Sequence, residues 1–410
     1  MKKLLLPVLL FNVLICNAQT AFITTWETTT TDETIALEAQ TGASSYTIDW
    51  GDGSATETYT AAQEASHTYA TSGDHSISFT GTFPRLIFQD QTKLTAVQQW
   101  GSQQWTSMFY TFKDCTNLTS VPIEAPDLSL CNNTVGMFRG ATSFNGDLNS
   151  WDMSAVTSIN QMFLSATSFN GDISSWDVSN VTNMGTMFQG ATSFNGDLNT
   201  WNVDKVTDMS YLFSGSTFNG DLSSWNVNSV TNMSGMFSSN SSFNGDISSW
   251  DVSKVTKMRS MFYTASAFNG DLNSWDVSSV SDMADMFGGA ASFKGELSSW
   301  DVSNVTNMSS MFRNATSFNQ DLSKWDVSSV TVMSNMFLNA TSFNQDLNTW
   351  NTSSVTVMRS MFWGTNSFNQ DLSNWNVSNV TDMSFMFYVN KAFAGDISTW
   401  DVSSVTNMGR

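Results

Sequence analysis

The sequence predicts a repeat solenoid, a parallel sheet with short helical or 3₁₀ turns on its convex side, preceded by a small all-β sandwich. Three observations carry this reading. A tryptophan returns every 25 residues through most of the chain, for example at Trp151, Trp176 and Trp201. Such a short fixed period marks a stacked-repeat architecture. The segment before the array has short alternating runs broken by Gly-Asp turns, the pattern of half-buried antiparallel strands. Finally, 30 Phe, 23 Met and 16 Trp accompany only 13% charged residues, so the polar remainder is uncharged and the apolar part is large enough for a core.

The first eighteen residues read as a secretory signal peptide. Lys2 and Lys3 precede an apolar run from Leu4 to Ile15, and Cys16-Asn17-Ala18 places small residues where a signal peptidase cleaves. The bulky Ile15 before Cys16 fits a lipidation site poorly. The apolar run is too short to span a membrane as a helix, and no later segment replaces it. Export makes the protein secreted or displayed on a bacterial cell surface. It also permits a disulfide between Cys115 and Cys131; two buried thiols are the alternative, and spacing does not choose between them.

Residues 19–83 are assigned to the sandwich. Tyr46-Thr47-Ile48-Asp49-Trp50 alternates apolar and polar residues, and Gly51-Asp52-Gly53 follows as a tight turn. His67-Thr68-Tyr69 and Ile77-Ser78-Phe79 read as two more strands. Asp52 is expected to bond its own turn backbone rather than a metal, and His67 to be a strand residue. Residues 84–134 form a lead-in and an irregular first coil, and residues 135–410 the tandem repeats.

One interval, Trp201 to Trp225, is a residue short, the deletion lying between Phe213 and Phe218. Within a copy, Ile173, Trp176 and Val178 suggest a strand. Val181, Met184, Met187 and Phe188, spaced 3, 3 and 1, suggest a turn of α- or 3₁₀-helix with one buried side. Stacked strands would add one rung per coil at about 4.8 Å. The array stops at Arg410 midway through a coil, and its C-terminal end is expected to be incomplete.

The repeat W-[DN]-V-S-x-V-T-x-M-x-x-M-F-x-x-A-x-x-F-x-x-D resembles that of BspA-like leucine-rich-repeat surface proteins, a 25-residue unit also found in mycoplasma-type lipoproteins. The resemblance implies a leucine-rich-repeat-like solenoid and, in some relatives, adhesion to host proteins or other cells. It transfers no catalytic residue. Trp50-Gly51-Asp52-Gly53 with His67-Thr68-Tyr69 resembles the PKD module, an extracellular immunoglobulin-like spacer.

Composition narrows the function. A formal charge of −20 disfavours nucleic acid and anionic membrane surfaces. Two histidines leave little for His-based catalysis or metal binding. Two acidic columns run down the array. The first includes Asp147, Asp172, Asp197, Asp221, Asp246 and Asp271, just before the strand position. These carboxylates either accept bonds from local turn N–H groups or share Ca²⁺ ions between coils. No other cofactor is implied. The second column, including Asp251, Asp276, Asp301 and Asp326, follows the Trp and is expected to face a partner.

Arg359, Trp363, Phe385 and Tyr388 fall in adjacent coils and are expected to form an aromatic anchor. Packing aromatics over the convex edge would give the same pattern. The expected function is a non-catalytic adhesin for an extracellular protein or glycan. The alternatives are a structural spacer, or a glycan hydrolase using two column acids, although no pair stands out from the other copies. The sequence is silent on oligomeric state.

Overall fold

A computed structural model of the chain describes residues 20–38, 45–60, 63–83 and 85–409. The expected signal peptide lies outside these residues. Seven strands precede the repeats: β1 (Phe22–Thr28), β2 (Glu33–Leu37), β3 (Ser45–Asp49), β4 (Glu57–Tyr59), β5 (Ala65–Tyr69), β6 (Gly73–Thr82) and β7 (Leu94–Gln99). They form a five-stranded sheet in the order β4-β3-β6-β1-β7 and a two-stranded sheet, β2-β5. Every pairing within these sheets is antiparallel.

Alternation explains the strands. Phe22, Thr24 and Trp26 of β1 point into the core with Tyr46 and Ile48 of β3 and Ile77 and Phe79 of β6. The buried Thr24 is satisfied twice, accepting from Trp26 Nε1 at 2.7 Å and donating to the Ile77 carbonyl at 3.3 Å. Tyr69 donates its hydroxyl to the Trp50 carbonyl at 2.8 Å, pinning the strand before the turn. Gly51 has φ +79, and a Cβ there would lie 2.2 Å from the Ser76 carbonyl oxygen, so only glycine fits. Asp52 accepts from the Ser54 amide at 3.0 Å and pairs with His67 at 2.7 Å.

The expected fold class does not stand. Among the described residues there is no helix, no 3₁₀ turn and no multi-residue strand after β7. The leucine-rich-repeat solenoid with a continuous parallel sheet and helical convex turns is therefore replaced by a tandem stack of turn-built coils. Neighbouring coils share single-residue parallel bridges, as at Ser158↔Asn183 and Asn183↔Asp208. The bridge falls at Asn183, inside the segment expected to be helical, and not at Trp176–Val178.

Backbone conformation gives the reason. Thr186 and Gly190 both lie in the left-handed region, at φ 55 and 69. Left-handed residues four apart forbid the i→i−4 ladder of a helix. The N–H groups then divide by parity. Met187, Gln189 and Ala191 donate locally, to the carbonyls of Met184, Thr186 and Phe188. Met184, Thr186, Phe188 and Gly190 donate forward, to Asp208, Ser210, Leu212 and Ser214 of the next coil. A chain of i→i+3 turns spaces its apolar residues as a helical turn does, so periodicity alone did not separate the two.

The stack buries its repeated rings. Phe138, Phe163, Phe188 and Phe213 pile face to face at 5.7–5.8 Å. A second column, Phe144, Phe169 and Phe194, runs beside it at 5.8–5.9 Å. The column reaches into the N-terminal sheets through Phe112 and Phe88, which stacks on Phe22 of β1 at 6.0 Å. β7 completes the junction: it pairs with β1 and bridges Ser120 through Ala96. Sheets and coils share one buried apolar cluster.

The short copy and the copy after it carry buried polar residues at one core position. Where other coils bury alanine, Ser216 and Asn240 are buried. Ser216 Oγ donates to the Phe213 carbonyl at 2.9 Å, and Asn240 Nδ2 to the Phe218 carbonyl at 2.9 Å. Cys115 and Cys131 are both buried free thiols. Burial pushes the Cys115 thiol up to about 12, and its Sγ meets the Phe88 carbonyl at 2.9 Å.

Candidate functional site

The flanks of the stack carry polar side chains in columns, one residue per coil. In the first acidic column, each Oδ1 accepts the amide two residues on: Asp147 from Asn149, Asp172 from Ser174, Asp197 from Asn199, Asp221 from Ser223, Asp246 from Ser248 and Asp271 from Asn273, all at 2.8–2.9 Å. These are Asx turns. The Ser174 and Ser223 amides hold Asp172 and Asp221 below the usual carboxylate range, and the Ser248 hydroxyl does so most for Asp246. The opposing influence of Asp246 on Asp221 is the weakest contribution there, so turn bonds outweigh repulsion between coils. Among the described residues, no three His, Cys, Asp or Glu side chains cluster as a metal site would require.

The second column repeats the device. Asp251, Asp276, Asp301 and Asp326 accept from the amides of Ser253, Ser278, Ser303 and Ser328 at 3.0–3.1 Å. All four are exposed, each between a buried Trp and a buried Val. The serine hydroxyls and amides lower the titration of Asp251, Asp301 and Asp326.

Three of the four expected anchor residues come together. Trp363 stacks on Phe385 at 5.4 Å and meets Tyr388 edge-on at 5.0 Å, and Phe385 meets Tyr388 edge-on at 5.8 Å. All three are half-buried. Phe385 is held in the left-handed region at φ 59, a strained position for an aromatic residue. Arg359 is exposed and stacks on none of the three rings; its charge instead helps lower Asp382, whose desolvation opposes the bond from Ser384.

Sequence reasoning passed over two further columns. Asn145, Asn170, Asn195, Asn219 and Asn244 form an amide ladder, each Oδ1 accepting the backbone N–H of the next member at 2.8–2.9 Å. A hydroxyl ladder lies beside it: Thr200 donates to Ser174, Ser274 to Ser248 and Thr349 to Ser323, each at 2.7 Å to a carbonyl of the preceding coil. The sequence carries the signal as a recurrent Asn-Gly or Asn-Gln pair and a Ser or Thr before most of the repeat tryptophans.

Both ladders depart from their pattern twice, the asparagine column at Lys294 and Ala394 and the hydroxyl column at Lys324 and Asn374. Lys294 replaces the ladder asparagine, Glu296 the column aspartate and Lys324 the hydroxyl residue. Two clefts open there. One, of about 280 Å³, lies among Asn269, Asp271, Asn273, Lys294 and Glu296. The other, of about 200 Å³, lies among Glu296, Ser298, Gln320, Asp321 and Lys324.

No helix among the described residues is long and apolar enough to cross a membrane. No curated protein matches the chain. A family model described as "Mycoplasma protein of unknown function, DUF285" matches residues 106–217, 194–299, 269–356, 291–383 and 347–410. The matches begin after β7 and follow the stacked coils to the end of the chain. On this coverage, together with the coil-to-coil periodicity of its rings and ladders, the chain belongs to the DUF285 family of repeat proteins.

Proposed function

We propose that the protein is an exported, non-catalytic binding scaffold, an adhesin whose repeat flank recognises an extracellular protein or glycan. The observation that carries this reading is the cluster of Trp363, Phe385 and Tyr388, half-buried and mutually packed on the outside of a rigid stack. Aromatic side chains fixed in place lose little entropy on binding and are frequent interface anchors. The exposed column of Asp251, Asp276, Asp301 and Asp326 supports a long polar contact surface. The acids of both columns are read as turn-makers. Calcium sharing is a second reading of the first column, supported by its acid in every coil.

The test is saturable binding of the purified protein to panels of extracellular proteins and glycans, with calcium and with chelator. Trp363→Ala and Tyr388→Ala should weaken capture at least tenfold while leaving the fold intact. Capture unchanged in both variants would remove the aromatic cluster from the interface. A spacer role is favoured by the apolar spine that joins sheets and coils; any tight soluble ligand would speak against it.

A further inference from the structure

We infer that Tyr211 is the platform of a second subsite, one that takes an uncharged glycan chain. It stands in the column of Thr186, where every coil places a residue of left-handed backbone. Gly136, Gly235, Ser310 and Asn335 fill that column at φ 60, 60, 57 and 58. Small residues and asparagine serve there, and a bulky aromatic one is an outlier. Tyr110, Tyr211 and Phe385 nevertheless hold it, at φ 54, 53 and 59. Strain that a smaller residue would avoid points to a use for the ring. Phe385 belongs to the Trp363 cluster, whereas the two tyrosines share a different arrangement. Each is followed one coil on, in the same column, by a glycine whose side-chain place the ring fills. A Cβ on Gly136 would collide with the Tyr110 ring, and one on Gly235 with the Tyr211 ring. The ring is thereby laid along the stack instead of projecting from it.

The two seats differ in what covers them. The Tyr110 hydroxyl donates to Gln161 Oε1 at 3.1 Å, and the Lys113 ammonium lies 5.8 Å from its ring centroid, so that ring is used within the fold. Among the described residues Tyr211 has neither partner, and it is 38% exposed. The positions beside it hold the hydroxyl residues Thr186, Ser210, Ser234 and Ser260. The ring therefore stands on a polar flank, without the apolar surround of a protein interface core. One coil past Gly235, the Arg259 guanidinium lies 3.6 Å from Asp282 and 3.7 Å from Asp285. Lys257 and Arg259 are outnumbered by Asp208, Asp282 and Asp285 on a chain of charge −20, so the neighbourhood does not select an anion. Its charged and hydroxyl groups can donate to and accept from the hydroxyls of a neutral ligand. The negative face of an aromatic ring attracts C–H groups. A pyranose with equatorial substituents keeps its hydroxyls at the rim and turns C–H bonds to its faces. It meets the tyrosine with a face and the polar groups with its rim.

This inference rests on the binding-scaffold reading but not on the Trp363 cluster. The test is calorimetric titration of the full chain with cellohexaose, a flat uncharged probe, and with hexagalacturonate, an anionic one of similar length, beside thermal unfolding of each variant. Tyr211→Ser installs the residue that the column holds at Ser260, Ser310 and Ser360. The expected result is saturable cellohexaose binding, at least tenfold weaker for hexagalacturonate. Tyr211→Ser should lose at least tenfold in affinity while its unfolding midpoint stays or rises, and Tyr211→Phe, which keeps the ring, should bind within about threefold of the parent. Absent cellohexaose binding, equal binding of hexagalacturonate, or undiminished binding by Tyr211→Ser would overturn the subsite. Capture of an extracellular protein that Tyr211→Ser abolishes, with cellohexaose unbound, would assign the ring to a protein and overturn it as well. Trp363→Ala should leave cellohexaose binding unchanged. Capture that depends on Trp363 while cellohexaose fails to bind would leave the scaffold reading standing and this subsite overturned.

Discussion

The indole N–H of Trp176 donates to the carbonyl of Leu148 at 2.8 Å, across the boundary between two coils. The same bond joins Trp275 to Ile247 at 3.1 Å and Trp375 to Leu347 at 2.8 Å. A buried indole therefore serves both as filling and as a rung. The first copy departs instructively. Trp151 Nε1 is buried without a partner. The residue in the acceptor position, Ile123, is 77% exposed, and its carbonyl receives the Ser150 hydroxyl instead.

Replacing one rung separates these two roles. Trp275→Phe keeps an aromatic ring and loses the N–H, so it should cost about 1 kcal/mol for the lost hydrogen bond plus a packing change. Trp275→Ala should cost about 3–5 kcal/mol through the cavity it leaves. Denaturant unfolding of the two variants measures the difference; a Trp275→Phe variant as stable as the parent would mean that the indole bond contributes nothing, and equal costs would mean that the ring's packing contributes nothing.

Lys294→Asn should stabilise the chain, by about 0.5–1.5 kcal/mol, because it gives the Asn319 amide the acceptor found in the other coils. Asn219→Ala should destabilise by a similar amount, removing the acceptor for the Asn244 amide. Opposite signs in thermal unfolding would support the ladder, and a neutral result for both would refute it.

The acids set a pH dependence whose sign follows from their depressed titration. Asp172, Asp246, Asp301 and Asp326 sit below the ordinary carboxylate value in the folded chain. Stability from such groups is fully present above their unfolded value near 4 and is lost as pH falls through the folded value. Glu33, lowered to about 2 by Lys93 and by the Thr29 and Thr30 amides, extends the loss further down. Thermal midpoints should be flat from neutral pH to about 5 and fall below about 4. Asp246→Asn, which keeps the turn, should flatten that fall slightly, whereas Asp246→Ala should lower the midpoint at every pH.

Left-handed positions are a further lever. Thr264 has φ 53, a cost for a β-branched residue, while Asn314 and Asn339 occupy the same column at φ 57 and 56. Thr264→Asn should stabilise by about 1 kcal/mol. A loss of stability would show that the Thr264 hydroxyl, bonded to Ser239 Oγ at 3.1 Å, matters more than the backbone.

What was legible in the sequence follows from what period encodes. The burial of Trp176, Val178, Met184, Phe188 and Phe194 is written in their recurrence, and so is the strand alternation around Tyr46 and Ile48. The conformation between Met184 and Ala191 was not, because i→i+3 turns and a helical turn place apolar residues alike. Thr186, a residue that seldom adopts positive φ, gave no warning of it. The aromatic trio was legible as adjacent positions in adjacent coils, but Arg359 was grouped with it on sequence proximity alone. The ladder breaks at Lys294 and Lys324 were visible as substitutions. Their meaning required knowing which hydrogen bonds the neighbouring coils make.

Hydrogen exchange at the indole nitrogens tests the stacked spine most directly. In ¹⁵N-labelled protein, the Nε1–H groups from Trp176 through Trp375 should exchange slowly and together, as bonds broken only when neighbouring coils separate. Indoles exchanging at the rate of a free tryptophan side chain, or each at its own unrelated rate, would contradict a continuous spine.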